Sequence, residues 1–131
     1  MLKKNNYKIK RFISSDGCEI LAGRDGVSND YLTFKVGQSN DLWFHVKGES
    51  GSHVILKCPD LKKQTPPKKS QQEAASVAAW YSKMRKGGRV PVTMCRVKDI
   101  SKPKNADPGL VRVRKVKTLM VMPDLSVEKK E

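Results

Sequence analysis

Asn40-Asp41-Leu42-Trp43-Phe44-His45-Val46-Lys47-Gly48-Glu49-Ser50-Gly51-Ser52-His53-Val54-Ile55-Leu56 holds both histidines of the chain and one of its two tryptophans. Its apolar residues alternate, and Gly48-Glu49-Ser50-Gly51 accepts turn backbone angles, so the stretch reads as strand, tight turn and strand. A hairpin centred on Glu49 pairs Val46 with Ser52, His45 with His53, Phe44 with Val54, Trp43 with Ile55 and Leu42 with Leu56. Because side chains alternate across a strand, this register gathers Leu42, Phe44, Val54 and Leu56 on one apolar face. Asp41, Trp43, His45 and His53 share the other. A slip by one residue would carry His53 to the apolar face and undo the segregation. The second face is expected to be wet and to bind something, since an indole, two imidazoles and a carboxylate make a strange bare surface. The competing arrangement is a helix laid over the Trp, with the His pair hydrogen-bonded beneath it.

Before this hairpin, Tyr7 to Ile13 alternates well enough for a strand, Asp16-Gly17 signals a turn, and Cys18 to Ala22 completes a first hairpin. Gly23-Arg24-Asp25-Gly26 is loop-like, and Arg24 there is a candidate phosphate contact. Val27 to Asp30 suits one helical turn. Tyr31-Leu32-Thr33-Phe34-Lys35-Val36, rich in β-formers, is expected to be a strand. After the central hairpin, Cys58 to Lys69 reads as a basic loop broken by Pro59, Pro66 and Pro67.

Ser70 followed by Glu73 is a capping-box pattern that opens the main helix. Ala74, Val77, Ala78, Tyr81 and Met84 form its apolar stripe, and Gly87-Gly88 its stop. Lys83, Arg85 and Lys86 then fall in the last turn, where they complement the helix dipole or edge a nucleic-acid surface that Arg89 continues. Arg89 to Val97 is a strand, with Pro91 at an edge or at the strand start. Lys98 to Gly109 is a long polar loop carrying Lys102 and Lys104. Leu110 to Thr118 is a strand that presents Arg112 and Arg114, and Leu119 to Met122 is a short apolar strand. The expected fold is α+β, an antiparallel β-sheet with one main α-helix packed against it. Residues 11–123 are expected to form a single domain, with a partly ordered basic end at 1–10 and a frayed, charged tail at 124–131.

The 27 Lys and Arg outnumber the 13 Asp and Glu to give a net charge of +14, which points to a polyanionic partner. There is no signal peptide, no apolar run long enough to span a bilayer and no lipidation signal, so a cytoplasmic location and no membrane partner are expected. Cys18, Cys58 and Cys95 are odd in number and widely spaced, which argues for reduced thiols over a disulfide framework or a structural zinc site.

The hairpin's Asn-Asp-Leu-Trp-Phe-His-Val-Lys and Gly-Ser-His-Val-Ile-Leu resemble the signature of the NFACT-R domain family, found in the RqcH/NEMF group of ribosome-associated quality-control proteins and as standalone proteins. Phe12 to Ile20, Gly23-Arg24 and Asn29-Asp30 match the family's opening. Glu73-Ala74-Ala75, Ala78 to Lys83 and Pro103 to Gly109 match the rest, so the likeness covers residues 11–123. Ser50 replaces a proline common in the family, and Trp80 a tyrosine. The multidomain members also carry an N-terminal tRNA-handling region and a long coiled coil. This sequence shows neither, so their alanine-tailing activity is not carried over.

The resemblance implies an RNA-binding module acting on tRNA or rRNA, with the ribosome as a further partner, no cofactor and no enzymatic activity. In that reading Trp43, His45 and His53 stack on or bond an unpaired base, and Asp41 and Ser52 complete the pocket. Lys47 and the cations already named then hold phosphates and sugars. Two other classes are weighed beside it. A metal-dependent phosphoester hydrolase would centre on Asp41, His45 and His53. Yet Asp41 and His45 stand about 13 Å apart along a regular strand, too far for one small ion. A ribosome-docking protein-interaction module would use the charge only to dock.

Overall fold

The computed structural model describes residues 6–57 and 65–130. Cys58, Pro59, Lys62, Lys63 and the first five residues, which figured in the sequence reading, lie outside the described residues. The element order is β1 (Ile9–Ile13), β2 (Glu19–Gly23), α1 (Gly26–Tyr31), a π-helical turn (Leu32–Val36), β3 (Leu42–Val46), β4 (Val54–Lys57), α2 (Lys68–Trp80), β5 (Val90–Arg96), β6 (Ile100–Ser101), β7 (Arg112–Val113), β8 (Lys117–Val121) and β9 (Glu128–Lys130). Seven strands form one sheet in the order β8-β5-β3-β4-β2-β1-β9, and β6 and β7 form a separate ribbon. Every named pairing is antiparallel, as expected for an α+β fold.

The central register is the expected one: Leu42 faces Leu56, Trp43 faces Ile55 and Phe44 faces Val54. Leu42, Phe44, Val46, Val54 and Leu56 turn to one side and meet Ala74, Ala75, Val77, Ala78 and Ala79 of α2 in the larger core. The alanines let helix and sheet approach closely; burial of this apolar surface contributes about 25 cal/mol per Å².

The other face is not wet. Trp43 is only 2% exposed and His53 1%. Trp43 and Ile55 pack with Leu21, Leu32, Cys95 and Ile100 in a second core, with Val36, Val97, Val111 and Val113 at its edge. The expected exposed face is thus overturned by a cover built from the π-helical turn and the 97–113 segment. The turn also replaces the strand expected at residues 31–36. Strand propensity there reports a fit to a half-buried surface, and a wide helical turn satisfies it equally by burying Leu32 and Thr33 while Phe34 and Lys35 stay exposed.

Ser70 and Glu73 are no capping box. α2 begins at Lys68 after Pro67, which needs no amide donor at that position. The Ser70 hydroxyl donates to Asp16 Oδ2 at 2.8 Å and lies 2.6 Å from Ser14 Oγ, which therefore donates to it. Glu73 accepts from the Ser15 amide and hydroxyl. The pair latches the β1–β2 turn onto the helix.

The helix also stops early, at Trp80, because residues 81–82 pair with the β3–β4 turn: Gly51 bridges Ser82, and the Ser52 amide donates to Tyr81 O at 3.1 Å. Lys83, Arg85 and Lys86 therefore do not cap its dipole. The strand expected at 110–118 is broken into β7 and β8 where Lys115 takes a left-handed φ of 54°. Pro91 stands second in β5, next to the strand start. The tail expected to fray instead places Leu125 and Val127 against the larger core and pairs β9 with β1.

Ser70→Ala should lower unfolding stability by about 1–3 kcal/mol, because it strands the hydroxyl of the buried Ser14. Gln72→Ala, on the exposed side of the helix, should change it by less than about 0.5 kcal/mol. Urea titration of the two variants measures this.

Candidate nucleic-acid interface

The buried polar groups behind the hairpin form one directed chain. Gly109 O lies 3.1 Å from His53 Nε2, and a carbonyl only accepts, so Nε2 carries the proton. Nδ1 is then the acceptor and takes the hydroxyl hydrogen of Thr33 at 2.9 Å. Thr33 Oγ1 accepts in turn from Trp43 Nε1 at 3.2 Å. Burial, reinforced by the neighbouring His45, pushes the His53 pKa down to about 3, so the ring is neutral. The Gly109 carbonyl opposes that shift only in part.

Around this chain the loops lock together. Asn29 Oδ1 accepts from the His53 amide at 3.0 Å, and Asn29 Nδ2 donates to Gly51 O at 3.3 Å. Asp30 accepts from the Gly109 amide and pairs with Lys102, whose ammonium also reaches Asp107 O and Leu110 O. Gly23 and Gly26 permit the close approach. A Cβ at Gly23 would stand 2.3 Å from Asn29 Oδ1, and one at Gly26 would stand 2.8 Å from Pro108 O.

These contacts shape an open cleft of about 990 Å³ between the loop after β2, the β3–β4 turn, the turn after α2 and the 107–110 loop. Arg24, Lys83 and Arg85 line it. The Arg24 guanidinium lies 4.3 Å from the centre of the Tyr81 ring, and that of Arg85 lies 4.7 Å from the Trp80 ring. His45 and Ser52 reach the same cleft. His45 stacks on Trp43 at 5.8 Å, and burial lowers its pKa. Asp25, Glu49 and Asp107 also line the cleft. Asp25 caps α1 by accepting from the Ser28 amide at 2.8 Å, and the Ser28 hydroxyl together with that amide holds its carboxyl below the ordinary range.

The expected residues thus divide. Arg24, His45, Ser52, Lys83 and Arg85 come together at the cleft. Trp43 and His53 are buried behind it and offer no stacking face, a correction to the expected base platform. Asp41 is held by Lys57 Nζ at 2.6 Å and by the Gln38 amide at 2.8 Å, so it lies outside the cleft. With both His53 nitrogens engaged, the Asp41–His45–His53 metal set is not assembled. No group of acidic, His or Cys side chains among the described residues is placed to hold a metal.

Lys47, Lys86, Arg89, Lys104, Arg112 and Arg114 are exposed but do not line the cleft. Arg89 reaches Met120 O at 3.3 Å, Arg114 lies 3.9 Å from Asp99, and Lys102 is spent inside the scaffold. Tyr81 and Asp25 were missed. Tyr81 read as one more member of the helical stripe, and Asp25 as a loop residue. The cue for Asp25 was its place between Gly23 and Gly26, whereas no local pattern marked Tyr81. Among the described residues no helix is long and apolar enough to cross a membrane.

Two predictions follow from the buried chain. Trp43→Ala should cost about 3–5 kcal/mol of stability, as removal of a core aromatic does, read by urea unfolding. His53 binds its proton far more readily unfolded, with an ordinary pKa of about 6.5, than folded. Stability should therefore be complete above about pH 6.5 and fall at up to about 1.4 kcal/mol per pH unit as the pH drops toward the folded value. Unfolding midpoints between pH 7 and pH 5 should show at least this slope in the parent, and His53→Gln should reduce it and leave the share that the buried His45 adds.

The match to known proteins covers the elements that build the cleft. The family model described as "NFACT protein RNA binding domain" matches residues 8–115. The chain is 34% identical over 122 residues to the Rqc2 homolog RqcH of Bacillus subtilis, covering 93% of this chain and 20% of that protein. It is 38% identical over 117 residues to the Rqc2 homolog RqcH of Streptococcus suis, covering 88% of this chain and 20% of that protein. The chain therefore spans about a fifth of the length of the curated relatives it matches. A solved structure, the C-terminal part of the fibronectin/fibrinogen-binding protein from Streptococcus suis, superposes with a TM-score of 0.82 at 38% identity, covering 89% of this chain and 46% of that one. With its sheet, its hairpin register and its sequence all in agreement, the chain belongs to the NFACT RNA-binding domain family.

Proposed function

We propose that this chain binds RNA without covalent chemistry, through the cleft, and does so on the ribosome in translation quality control. The observation that carries the reading is the family match across residues 8–115. The cleft supplies a place for it: Arg24, Lys83 and Arg85 line a concave surface formed by the segments that carry the family likeness. In this reading their charges hold phosphates, and Ser52 and His45 contact sugar or base at the floor. Lys47, Lys86, Arg89, Lys104, Arg112 and Arg114 extend the positive surface beyond the cleft and draw the RNA in. The RNA class proposed is tRNA or ribosomal RNA, the polyanions a ribosome-bound protein meets. The net charge of +14 supports such a partner, since each phosphate neutralised releases counterions.

Equilibrium binding to tRNA and ribosomal RNA fragments across a salt series tests the reading. Arg24→Ala and Arg85→Ala should each weaken binding and reduce the slope of log K against log salt by about 0.7–0.9. A parent protein that binds no RNA at about 50 mM salt, where backbone contacts are strongest, would refute it.

A further inference from the structure

We infer that the cleft accepts an unpaired nucleotide, its base laid on the open face of the Arg24 guanidinium, so that the protein selects single-stranded over double-stranded RNA. This rests on the RNA reading above and names the state of the RNA that the site takes.

The first observation is the stack. Arg24 is exposed, yet its guanidinium lies over Tyr81 with 4.3 Å to the ring centre. The ring therefore lies on one side of the guanidinium, and the exposure of Arg24 leaves its other side to solvent. Its backbone is fixed as well: the Arg24 amide donates to Lys8 O at 2.8 Å, and the Gly23 amide donates to His53 O at 3.0 Å. A planar cation held in this way is a ready platform for a nucleobase.

The second observation is the charge balance. Arg24, Lys83 and Arg85 share the cleft with Asp25, Glu49 and Asp107. A groove meant only for a phosphate backbone gains nothing from carboxylates, which repel phosphates. Carboxylates do accept hydrogen bonds from the N–H edges of bases. Such a lining suits a ligand that brings a phosphate and a free base edge together. Duplex RNA keeps its base faces stacked and its pairing edges occupied, so it offers the cleft phosphates and sugars alone. An unpaired nucleotide offers all three parts, and a cleft of about 990 Å³ has room for one.

The test compares a mixed-sequence single strand of about ten nucleotides, within the usual span of single-strand sites, with the same sequence as a blunt duplex. Binding is measured by fluorescence anisotropy at several salt concentrations. The parent should bind the single strand at least about fivefold more tightly, the lower end of what one base stack gives. Arg24→Lys keeps the charge and loses the plane. It should remove most of that preference and leave the salt slope unchanged, while Tyr81→Phe, which keeps the ring, should retain the preference. Circular dichroism confirms that each variant is folded. Equal affinity for single strand and duplex, or a preference that survives Arg24→Lys, overturns the inference and leaves the RNA reading standing. Failure to bind either RNA overturns both.

Discussion

Trp43, Thr33, His53 and Gly109 are joined by hydrogen bonds that all run one way, from indole to hydroxyl to imidazole to backbone carbonyl. The chain satisfies these polar atoms without placing a charge in the second core. Breaking any link would strand a donor or acceptor in a dry layer, at about 1–3 kcal/mol. It also joins segments distant in sequence: the π-helical turn, β3, the start of β4 and the loop before β7. The 107–110 wall of the cleft is fixed against the sheet by this contact and by the clasp of Asp30 and Lys102 beside it. The outline of the cleft thus depends on a neutral buried histidine that does not itself line it.

Two glycines turn that restraint into shape. Gly23 leaves space for Asn29, and Gly26 leaves space for Pro108. Neither takes a left-handed φ; what each supplies is the absence of a Cβ. Asn29 can then reach both the His53 amide and Gly51 O, which ties α1 to the β3–β4 turn. Opposite walls of the cleft are held by backbone and short side chains, so the arginines at its edge can stay exposed without weakening the fold.

The hairpin was legible because strand alternation leaves one register in which Leu42, Phe44, Val54 and Leu56 agree. The two faces were separated correctly for the same reason. What covers the second face was not legible, because that depends on contacts at long sequence separation, from Leu32 and Thr33 on one side and Ile100 and Val113 on the other. Residues 31–36 show the same limit, since β-propensity there was outweighed by the chance to bury Leu32 and lend Thr33 to the polar chain. Ser70 and Glu73 have the right spacing for a capping box, yet they bond the β1–β2 turn, a partner no local pattern could name. At the candidate site, Arg24, Lys83 and Arg85 were recognisable as cations. Their convergence required α2 to end at Trp80, and that end is set by Ser52 and Gly51 of the hairpin.

That early helix end also decides what the cations are free to do. Had α2 run to Gly87, Lys83, Arg85 and Lys86 would have faced the negative end of the helix dipole and been partly neutralised by it. With the helix stopped at Trp80, Tyr81 O is taken by the Ser52 amide and Ala79 O by the Ser82 hydroxyl, so the cations beyond are not drawn to the helix carbonyls. Tyr81 then turns toward Arg24, and Trp80 supports Arg85, so two guanidinium groups rest on aromatic rings. An arginine supported on one face loses less conformational freedom when its other face meets a ligand. The same hairpin that organises the core therefore readies the cleft: its strands bury Trp43 and His53, and its turn unwinds the helix that would otherwise have drawn the cations away.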